Sequence, residues 1–290
     1  MTTSLDILFF WMAFYLYLGG FLLFVLVLGV RNPKVSFVAS GLMGLGFAAH
    51  TVGLILRWKI AGHPPFANSF GYISVMAWAA VGAFLVMLWK FRKPALGAFV
   101  APFAFFLMGI ASLFPKDISE QLMPALQSYW LYIHVIITVL GSGILTVAFG
   151  VSVMYLVKLR SVSSKGEGEG DRLPSLDLLD EINYRSVTIG YLLYTVGALI
   201  CGAIWAHYAW GSFWSWDPKE VTSLIVWLFY TGTLHARYQR GWHGKRAAWL
   251  SIIGFTMILF SFLGNHVLGG LHAYDRRRTI GRIMGHGFHG

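Results

Sequence analysis

Eight long apolar segments constrain the fold of this chain more than any other feature of its sequence. A helix that crosses a bilayer needs roughly 20 mostly apolar residues, and eight segments of the sequence meet that requirement. They cover residues of about 5–30, 35–56, 69–90, 95–114, 129–157, 186–207, 219–235 and 247–269. We therefore expect an all-α integral membrane protein with about eight transmembrane helices.

The composition supports this class and argues against two others. Hydrophobic residues make up 57% of the 290 positions and charged residues 12%, which is typical of a membrane protein. The net charge of +10 suggests nucleic-acid binding, but Lys and Arg cluster in short loops between apolar segments, as membrane orientation requires. The sole cysteine, Cys201, can form neither an internal disulfide nor a CxxC pair. We expect no nucleic-acid partner, and neither a c-type cytochrome nor a thiol oxidoreductase.

The distribution of Lys and Arg predicts the orientation in the membrane. If the segments cross alternately, 14 of these residues lie on one side and 8 on the other. The first side is cytoplasmic by the positive-inside rule. Both termini and the tryptophan-rich segment Ala209–Glu220 then lie on the outer side. The basic run Arg276–Arg278 fits this topology least well, because it adds positive charge to the outer tail.

We expect one polytopic membrane domain over residues 1–290, divided by a single long linker. Residues 1–160 form a five-span part and residues 186–290 a three-span part with the loop 209–220 and a basic C-terminal tail. Between them, residues 161–185 begin with the Gly-, Ser- and charge-rich sequence SVSSKGEGEGDRLPS and continue into LDLLDEINYR. This second stretch predicts a short amphipathic helix at the cytoplasmic surface.

The segment Ala209–Glu220 reads AWGSFWSWDPKE and carries four aromatic side chains within seven positions. These are Trp210, Phe213, Trp214 and Trp216. Gly211 and Ser212 interrupt regular structure, so we expect the rings to gather into a flat plate. A plate of this kind suits a porphyrin, which gains from stacking and apolar burial. The loop itself offers no imidazole or thiolate, so ligands to the iron have to come from elsewhere.

The end of this segment predicts the start of the seventh span. Asp217 is placed as an N-cap, Pro218 as the first helical residue, and Glu220 lies three residues after the cap. Capping explains Asp217 by itself, and a further role of its carboxylate in presenting a ligand stays open.

These residues resemble a known family. The run from Trp210 to Glu220 resembles the tryptophan-rich WWD signature of the haem-handling superfamily that includes CcsA, also called ResC, CcmC and CcmF, and its DPKE ending is most similar to CcsA. The stretch from Arg57 to Asn68 resembles the second-loop motif of the family, and Leu268 to Tyr274 resembles its end. Two positions depart from the pattern: the family usually has a glutamate where this chain has Gly71 and an asparagine where it has His207.

The resemblance implies a function in c-type cytochrome biogenesis. Haem b is expected as substrate and bound ligand. The protein would present it at the outer face for thioether attachment to the CxxCH segment of apocytochrome c. It would also take part in haem delivery across the membrane. The implied partners are a CcsB- or ResB-type membrane protein and thiol reductants of the maturation pathway. With the first of these the chain would form a cytochrome c synthase (haem lyase). The implied location is a bacterial plasma membrane or a thylakoid membrane.

Three histidines are candidate ligands of haem iron. His134 and His272 lie near the outer ends of their spans, on the face of the tryptophan segment, and two imidazoles can supply both axial positions; the matching histidines in the family are taken as such ligands. His235 follows Pro218 by 17 residues, or about 25 Å of helix, and cannot bind the same iron. The histidine that matches His235 in the family is a ligand of an inner haem. The second ligand of that haem belongs to the CcsB partner. Arg57 is a candidate contact for a haem propionate, with a structural or headgroup role as the alternative.

Three other functions stay open. A di-haem cytochrome b would share the spans and bis-histidine sites, but should pair histidines within the bundle at both depths. A haem exporter would use glycine-rich spans as gates. A non-catalytic assembly subunit, as in the CcmC branch, would pass haem to another carrier. No residue pattern indicates a dedicated general base.

Overall fold

The computed structural model describes residues 4–30, 32–118, 124–165 and 173–263. These residues form helices and connecting turns, with no strand among them. The helices are α1 (Leu5–Gly29), α2 (Pro33–Ala61), α3 (Ser69–Phe91), α4 (Gly97–Ser112), α5 (Tyr129–Lys165), α6 (Leu176–Tyr194), α7 (Gly202–Trp210), α8 (Pro218–Arg240) and α9 (Lys245–Leu263). Short 3-10 turns cover Pro94–Leu96 and Pro124–Leu126, and a π-helical turn, Thr195–Cys201, joins α6 directly to α7.

Seven helical segments of the described chain are long and apolar enough to cross a membrane, which confirms an all-α integral membrane fold. The predicted seventh span is also a helix of sufficient length, α8 with 23 residues, but it is not among those seven. Its lower hydropathy has a physical reason, because polar side chains on α8 bond within the bundle. Thr231 Oγ1 lies 2.9 Å from Tyr191 Oη, and Thr222 Oγ1 lies 3.0 Å from Ser261 Oγ.

The stretch 176–185, predicted as a short amphipathic helix, is helical but is not a separate helix. Helix α6 begins at Leu176 and continues without a break through the π-helical turn to Trp210, so that residues 176–185 are the first turns of a spanning helix. Its charged side chains Asp177, Glu181 and Arg185 are exposed, whereas Leu179, Ile182 and Asn183 are buried. Asn183 is 5% exposed and contacts two other helices.

Helix α5 is the central element and packs against α3, α4, α6, α9 and the π-helical turn. Asn183 on α6 connects it to two neighbours: the side-chain amide donates to Ser152 Oγ at 2.6 Å on α5 and to Ser251 Oγ at 2.8 Å on α9. Such hydrogen bonds are favourable between helices that have no water to compete. The helices before and after the predicted linker therefore share one core.

Glycines bring α5 and α6 close together where they cross. A Cβ atom at Gly190 would lie 3.1 Å from Gly141 O and 2.7 Å from the side chain of Leu145. A Cβ atom at Gly141 would lie 3.0 Å from Gly190 O. Small residues at such a crossing let two backbones approach and gain van der Waals contact, which drives helix association in lipid.

One end of the bundle gathers the starts of α1, α3, α5 and α8 and the ends of α2, α4, α7 and α9. Contacts between these helix ends join them: Arg57 to Asp6, Tyr72 to Phe262, Trp205 to Ala125 and Lys219 to Ser261. We call this the tryptophan end, because it holds residues 211–217, the tryptophan loop. At the opposite end Arg237 and the backbone N–H of Gly244 bind Asp180, which fixes the α8–α9 turn to α6.

Candidate functional site

The tryptophan loop begins as the sequence predicts. Helix α7 ends at Trp210, and Gly211 follows with φ +80°, a left-handed conformation that glycine adopts without steric cost. The N–H of Gly211 donates to His207 O at 2.9 Å. Ser212 Oγ then donates to Trp214 O at 2.8 Å and closes the first turn of the loop.

The predicted capping box at the start of α8 is confirmed. Asp217 caps the helix, Pro218 is its first residue, and the carboxylate of Glu220 accepts from the Asp217 N–H at 3.3 Å. Glu220 does more than the motif requires, since it also accepts from Ser215 N at 2.7 Å and Ser215 Oγ at 3.1 Å. One carboxylate therefore holds the last three residues of the loop against the helix N-terminus.

Trp216 lies in the middle of this clamped stretch and has an unusual backbone. Its φ is +59°, in the left-handed region that L-residues rarely occupy. Its side chain is 71% exposed. A bulky residue in this conformation costs about 1–2 kcal/mol, so the bonds to Glu220 hold the loop in a strained shape that presents the indole outward.

The aromatic rings do not form the flat plate that the sequence suggested. Trp214 and Trp216 meet at 88° with centroids 5.8 Å apart, and Trp210 meets Trp205 of the same helix at 75°. Phe213 instead stacks on His207 at 4.3 Å with an interplanar angle of 6°. The rings pair locally because edge-to-face contacts are as favourable as stacking, and because Trp210 belongs to α7 and not to the loop.

A cleft lies beneath this loop, between α3, α5, α7, α8 and α9. Its free interior volume is about 60 Å³, and it opens to solvent at its mouth. Among its lining residues are His134, Trp205, Phe213, Trp214, Lys219 and Glu220. Of the residues predicted as a haem site, the structure therefore brings His134, Phe213 and Trp214 together, and it leaves Trp210 and Trp216 outside the lining.

His134 is held in a defined orientation within this cleft. Its Nδ1 lies 2.8 Å from the carbonyl oxygen of Gly197. A carbonyl can only accept, so Nδ1 carries the proton and the lone pair resides on Nε2, the nitrogen that can bind a metal. Its ring also lies parallel to that of Trp205, at 5.8 Å and 5°. A histidine whose second nitrogen is fixed by a carbonyl is the usual arrangement of a metal ligand.

The π-helical turn supplies the partner of His134. Gly197 lies within this turn, and a Cβ atom there would come 2.5 Å from Thr138 N. A Cβ atom at Gly202, just after the turn, would come 3.1 Å from both Cε1 and Nδ1 of His134. Both glycines are therefore needed for the imidazole and α5 to approach this helix so closely. π-helical turns of this kind occur frequently at functional sites.

Arg57 belongs to a different cluster at the same end of the bundle. It was expected on a loop, but it lies in the last turns of α2 and is 4% exposed. Its guanidinium donates to Asp6 Oδ2 at 2.9 Å and to Lys116 O at 2.8 Å, and it lies 4.7 Å from the Phe70 ring centroid. We call Asp6, Arg57, Phe70 and Lys116 the Arg57 corner. These contacts favour the structural alternative over a contact with a propionate.

Gly71, where the resembled family usually has glutamate, is required by its surroundings. A Cβ atom there would overlap the carbonyl oxygen of Pro65, and it would also come 3.2 Å from Asn68 Oδ1. The loop before α3 is packed too closely for any side chain at this position. The role of a glutamate in relatives therefore cannot be transferred to this chain.

Among the described residues, His235 and His50 lie apart from the cleft. His235 is on an exposed face of α8, near its last turns, and is separated from the tryptophan loop by most of that helix. His272 lies outside the described residues. His50 is buried between Tyr17 Oη at 3.2 Å and Ser74 Oγ at 2.8 Å, and these contacts explain it as a hydrogen-bonded packing residue.

Sequence reasoning missed two residues of the cleft. Trp205 lies in an apolar span, where an aromatic ring indicates nothing by itself, although its position five residues before Trp210 was visible. Lys219 was read only as part of the DPKE motif, yet its side chain lines the cleft beside His134. The capping box was a usable signal for Lys219, because it fixes the first turn of α8 next to the tryptophan loop.

Comparison with known proteins identifies relatives over most of the chain. The model of the cytochrome C assembly protein family matches residues 66–272. A cytochrome c biogenesis protein CcsA from Prochlorococcus marinus (strain MIT 9313) is 36% identical over 275 residues, covering 84% of this chain and 86% of that protein. The CcsA of Parasynechococcus marenigrum (strain WH8102) is 34% identical over 288 residues, covering 88% and 94%.

A solved structure shares the fold. The chain resembles cytochrome c heme lyase CcmF with a TM-score of 0.69 and 18% sequence identity, over 92% of this chain and 48% of that one. At this identity the likeness concerns the helical architecture alone, and the chain corresponds to about half of the larger protein.

Proposed function

The chain belongs to the cytochrome C assembly protein family, and from this premise we propose that it binds haem in the cleft at its tryptophan end and presents it for covalent attachment to an apocytochrome c. The coarser role, in the biogenesis of c-type cytochromes, follows from family membership and from the CcsA relatives. The integral membrane location follows from the apolar helices and the same relatives.

The orientation of His134 is the observation that carries the proposal. Its Nδ1 proton is fixed by Gly197 O at 2.8 Å, which leaves the lone pair on Nε2. The same cleft is lined by Trp205, Phe213 and Trp214. An imidazole donor, flat aromatic faces and a cation are the chemistry that a porphyrin with carboxylate arms requires. The donor set of the described cleft therefore fits haem, with His134 as one axial ligand and His272 proposed as the other.

The reaction proposed is the addition of two cysteine thiols of a CxxCH segment to the two vinyl groups of haem. Each sulfur forms a bond to one vinyl carbon, and the thiol hydrogen is transferred to the other carbon, so no oxidant or reductant is consumed in this step. The chain contributes position: the axial histidine and the tryptophan loop hold haem at one edge of the bundle, where an extended peptide can reach it. Such orientation replaces a slow bimolecular encounter.

A second histidine supports a partner of the CcsB type. His235 is exposed on α8, and Gly232 one turn earlier has nothing within 4 Å of where its Cβ would lie. A histidine facing outward from a spanning helix is expensive in lipid unless a neighbour covers it. We propose that a helix of the partner covers this face and supplies the second ligand of an inner haem, which then moves to the outer cleft.

The proposed orientation places the tryptophan loop on the outer side, periplasmic or lumenal. The excess of Lys and Arg in the loops at the opposite end supports this orientation. It also puts the cleft on the side where c-type cytochromes receive their haem, while His235 lies toward the cytoplasm.

The test is the haem content and the reduced-minus-oxidised spectrum of the purified chain, with and without a CcsB-type partner. His134→Ala should lose most of its haem, and added imidazole should restore it by replacing the missing ligand. His235→Ala should lose only the haem that depends on the partner. His243→Ala is the matched control, because its side chain is 61% exposed at the opposite end. Unchanged haem in His134→Ala would contradict the proposal and favour a structural loop or a cytochrome b with its ligands elsewhere.

A further inference from the structure

Lys219 lies at the tryptophan end and is held there by neutral partners. Its Nζ donates to Ser261 O at 2.9 Å and to Ser261 Oγ at 3.1 Å, and it lies 4.2 Å from the Phe262 ring centroid. Within the described residues the ammonium group forms no salt bridge. An ammonium has three N–H donors, and Ser261 takes two of them.

The two carboxylates next to Lys219 in sequence are engaged by the backbone. Asp217 Oδ2 accepts from the backbone N–H of Lys219 at 3.0 Å. Glu220 accepts from Ser215 N and Asp217 N. Both serve the helix start, where the positive end of the α8 dipole favours negative charge. The charge of the Lys219 ammonium is therefore not matched by a direct ion pair with either of them.

Lys219 is also the only lysine or arginine among the described residues that line the cleft. Arg57 and Lys116 at this end do not line the cleft. Arg57 is bound by Asp6 and by two backbone carbonyls, and Lys116 Nζ donates to Ser112 O at 2.8 Å. Within the part of the chain that the structure describes, an anionic group that enters the cleft therefore meets one cation, Lys219, of whose three N–H donors Ser261 takes two.

We propose that Lys219 binds a propionate carboxylate of haem in this cleft. The inference rests on the proposed haem site and adds to it the residue that orients the porphyrin edge. A charge-assisted hydrogen bond to a carboxylate is stronger than the neutral bonds that Lys219 makes. With a propionate fixed by α8 and the iron by His134 on α5, the porphyrin can rotate neither in its plane nor out of the cleft. The vinyl edge is then held at a defined place for the incoming thiols.

The test pairs a change in the protein with a change in the ligand. Wild type and Lys219→Met, both prepared without haem, are titrated with haem and with haem dimethyl ester, which lacks carboxylates, and the dissociation constants are measured by absorbance. In wild type the ester should bind at least about tenfold more weakly than haem. In Lys219→Met that factor should shrink by about tenfold, because the carboxylate has lost its partner. Lys59→Met, an exposed lysine at the same end, should leave the wild-type factor unchanged.

The outcomes separate a binding role from a structural one. If Lys219 only ties α8 to α9 through Ser261, Lys219→Met will weaken haem and ester equally and lower the unfolding temperature without ligand, and the proposal fails. If Lys219→Met does not fold, Lys219→Arg takes its place. Arginine keeps the charge but shifts its position, so the ratio of the ester and haem dissociation constants should change, while the dissociation constant of the ester should not. Failure of the haem site itself is recognised separately, because His134→Ala would then bind haem as wild type does.

Discussion

The Arg57 corner and the cleft lie at the same end of the bundle, and they treat their polar groups in opposite ways. In the Arg57 corner, the guanidinium is surrounded by Asp6, two carbonyls and an aromatic face. In the cleft, His134 has its lone pair on Nε2, and Lys219 donates to the neutral Ser261 and forms no salt bridge with a described residue. A cation that lines an open cleft beside an oriented imidazole is a better functional candidate than one enclosed by its own chain. For this reason the proposed ligand site is the cleft and not the corner.

The largest expected effect is on stability, through the ion pair of the Arg57 corner. Asp6→Asn removes the carboxylate and leaves Arg57 charged, 4% exposed and without its ion pair. We expect a loss of about 3–5 kcal/mol of unfolding free energy, measured by SDS-induced unfolding of the detergent-solubilised protein. Haem affinity of the folded fraction should not change. Glu181→Gln, which breaks an exposed pair with Arg185, should cost less than about 1 kcal/mol, and an equal loss in both variants would contradict the interpretation.

A smaller change should act on the cleft and spare the corner. Gly202→Ala adds a Cβ atom 3.1 Å from the His134 ring, so the imidazole has to shift by a few tenths of an ångström. Because ligand geometry is demanding, we expect haem affinity to fall by roughly tenfold, or about 1.4 kcal/mol, with little change in unfolding. Gly44→Ala, where nothing lies within 4 Å, is the control. Haem titration checks both, and wild-type affinity in Gly202→Ala would show that the orientation of His134 is unimportant.

The smallest expected effect concerns strain, which the tryptophan loop has and the corner lacks. Trp216 has φ +59°, which costs an L-residue about 1–2 kcal/mol. Trp216→Gly removes this cost and Trp216→Ala keeps it. Glycine also loses more conformational entropy on folding, which offsets about 0.5–1 kcal/mol of the gain. We expect the glycine variant to be more stable by about 0.5–1 kcal/mol in the same unfolding assay. Phe213 lies outside the positive-φ residues, so there alanine should be the more stable replacement. The same order at both positions would argue against stored strain.

Much of the architecture was predictable because it depends on local pattern. The length of the apolar segments gave the helices, and Asp217, Pro218 and Glu220 gave the capping box, since a cap is made by residues within four positions of one another. The stretch 176–185 is amphipathic, as its local pattern indicates, but that pattern gave no sign that it continues into the sixth span. It also gave no sign of the role of Asn183, which bonds to partners 31 and 68 positions away.

The site was predictable in its residue types and less so in its geometry. His134 and Trp214 were identified from topology and resemblance, whereas for Arg57 a propionate contact and a structural role stayed open, because its partner Asp6 lies 51 positions earlier. The plate failed because neighbouring rings prefer perpendicular contacts and because Trp210 extends α7. The π-helical turn had no sequence signal beyond Gly197 and Gly202, since glycine in a span more often indicates close packing.

The π-helical turn also changes how α6 and α7 are phased. A residue in regular α-helix advances by about 100° around the axis, and a π-helical turn holds more residues per turn, so the helix beyond it is rotated relative to the helix before it. Leu179, Ile182 and Asn183 can therefore face the bundle core on one angular setting, while Trp205 faces His134 on another. Insertion or deletion of a single residue between 195 and 201 would keep a spanning helix and its hydrophobicity, but it would turn Trp205 away from the imidazole. The spacing from Asn183 to Trp205 is thus as much a part of this site as the identity of either residue.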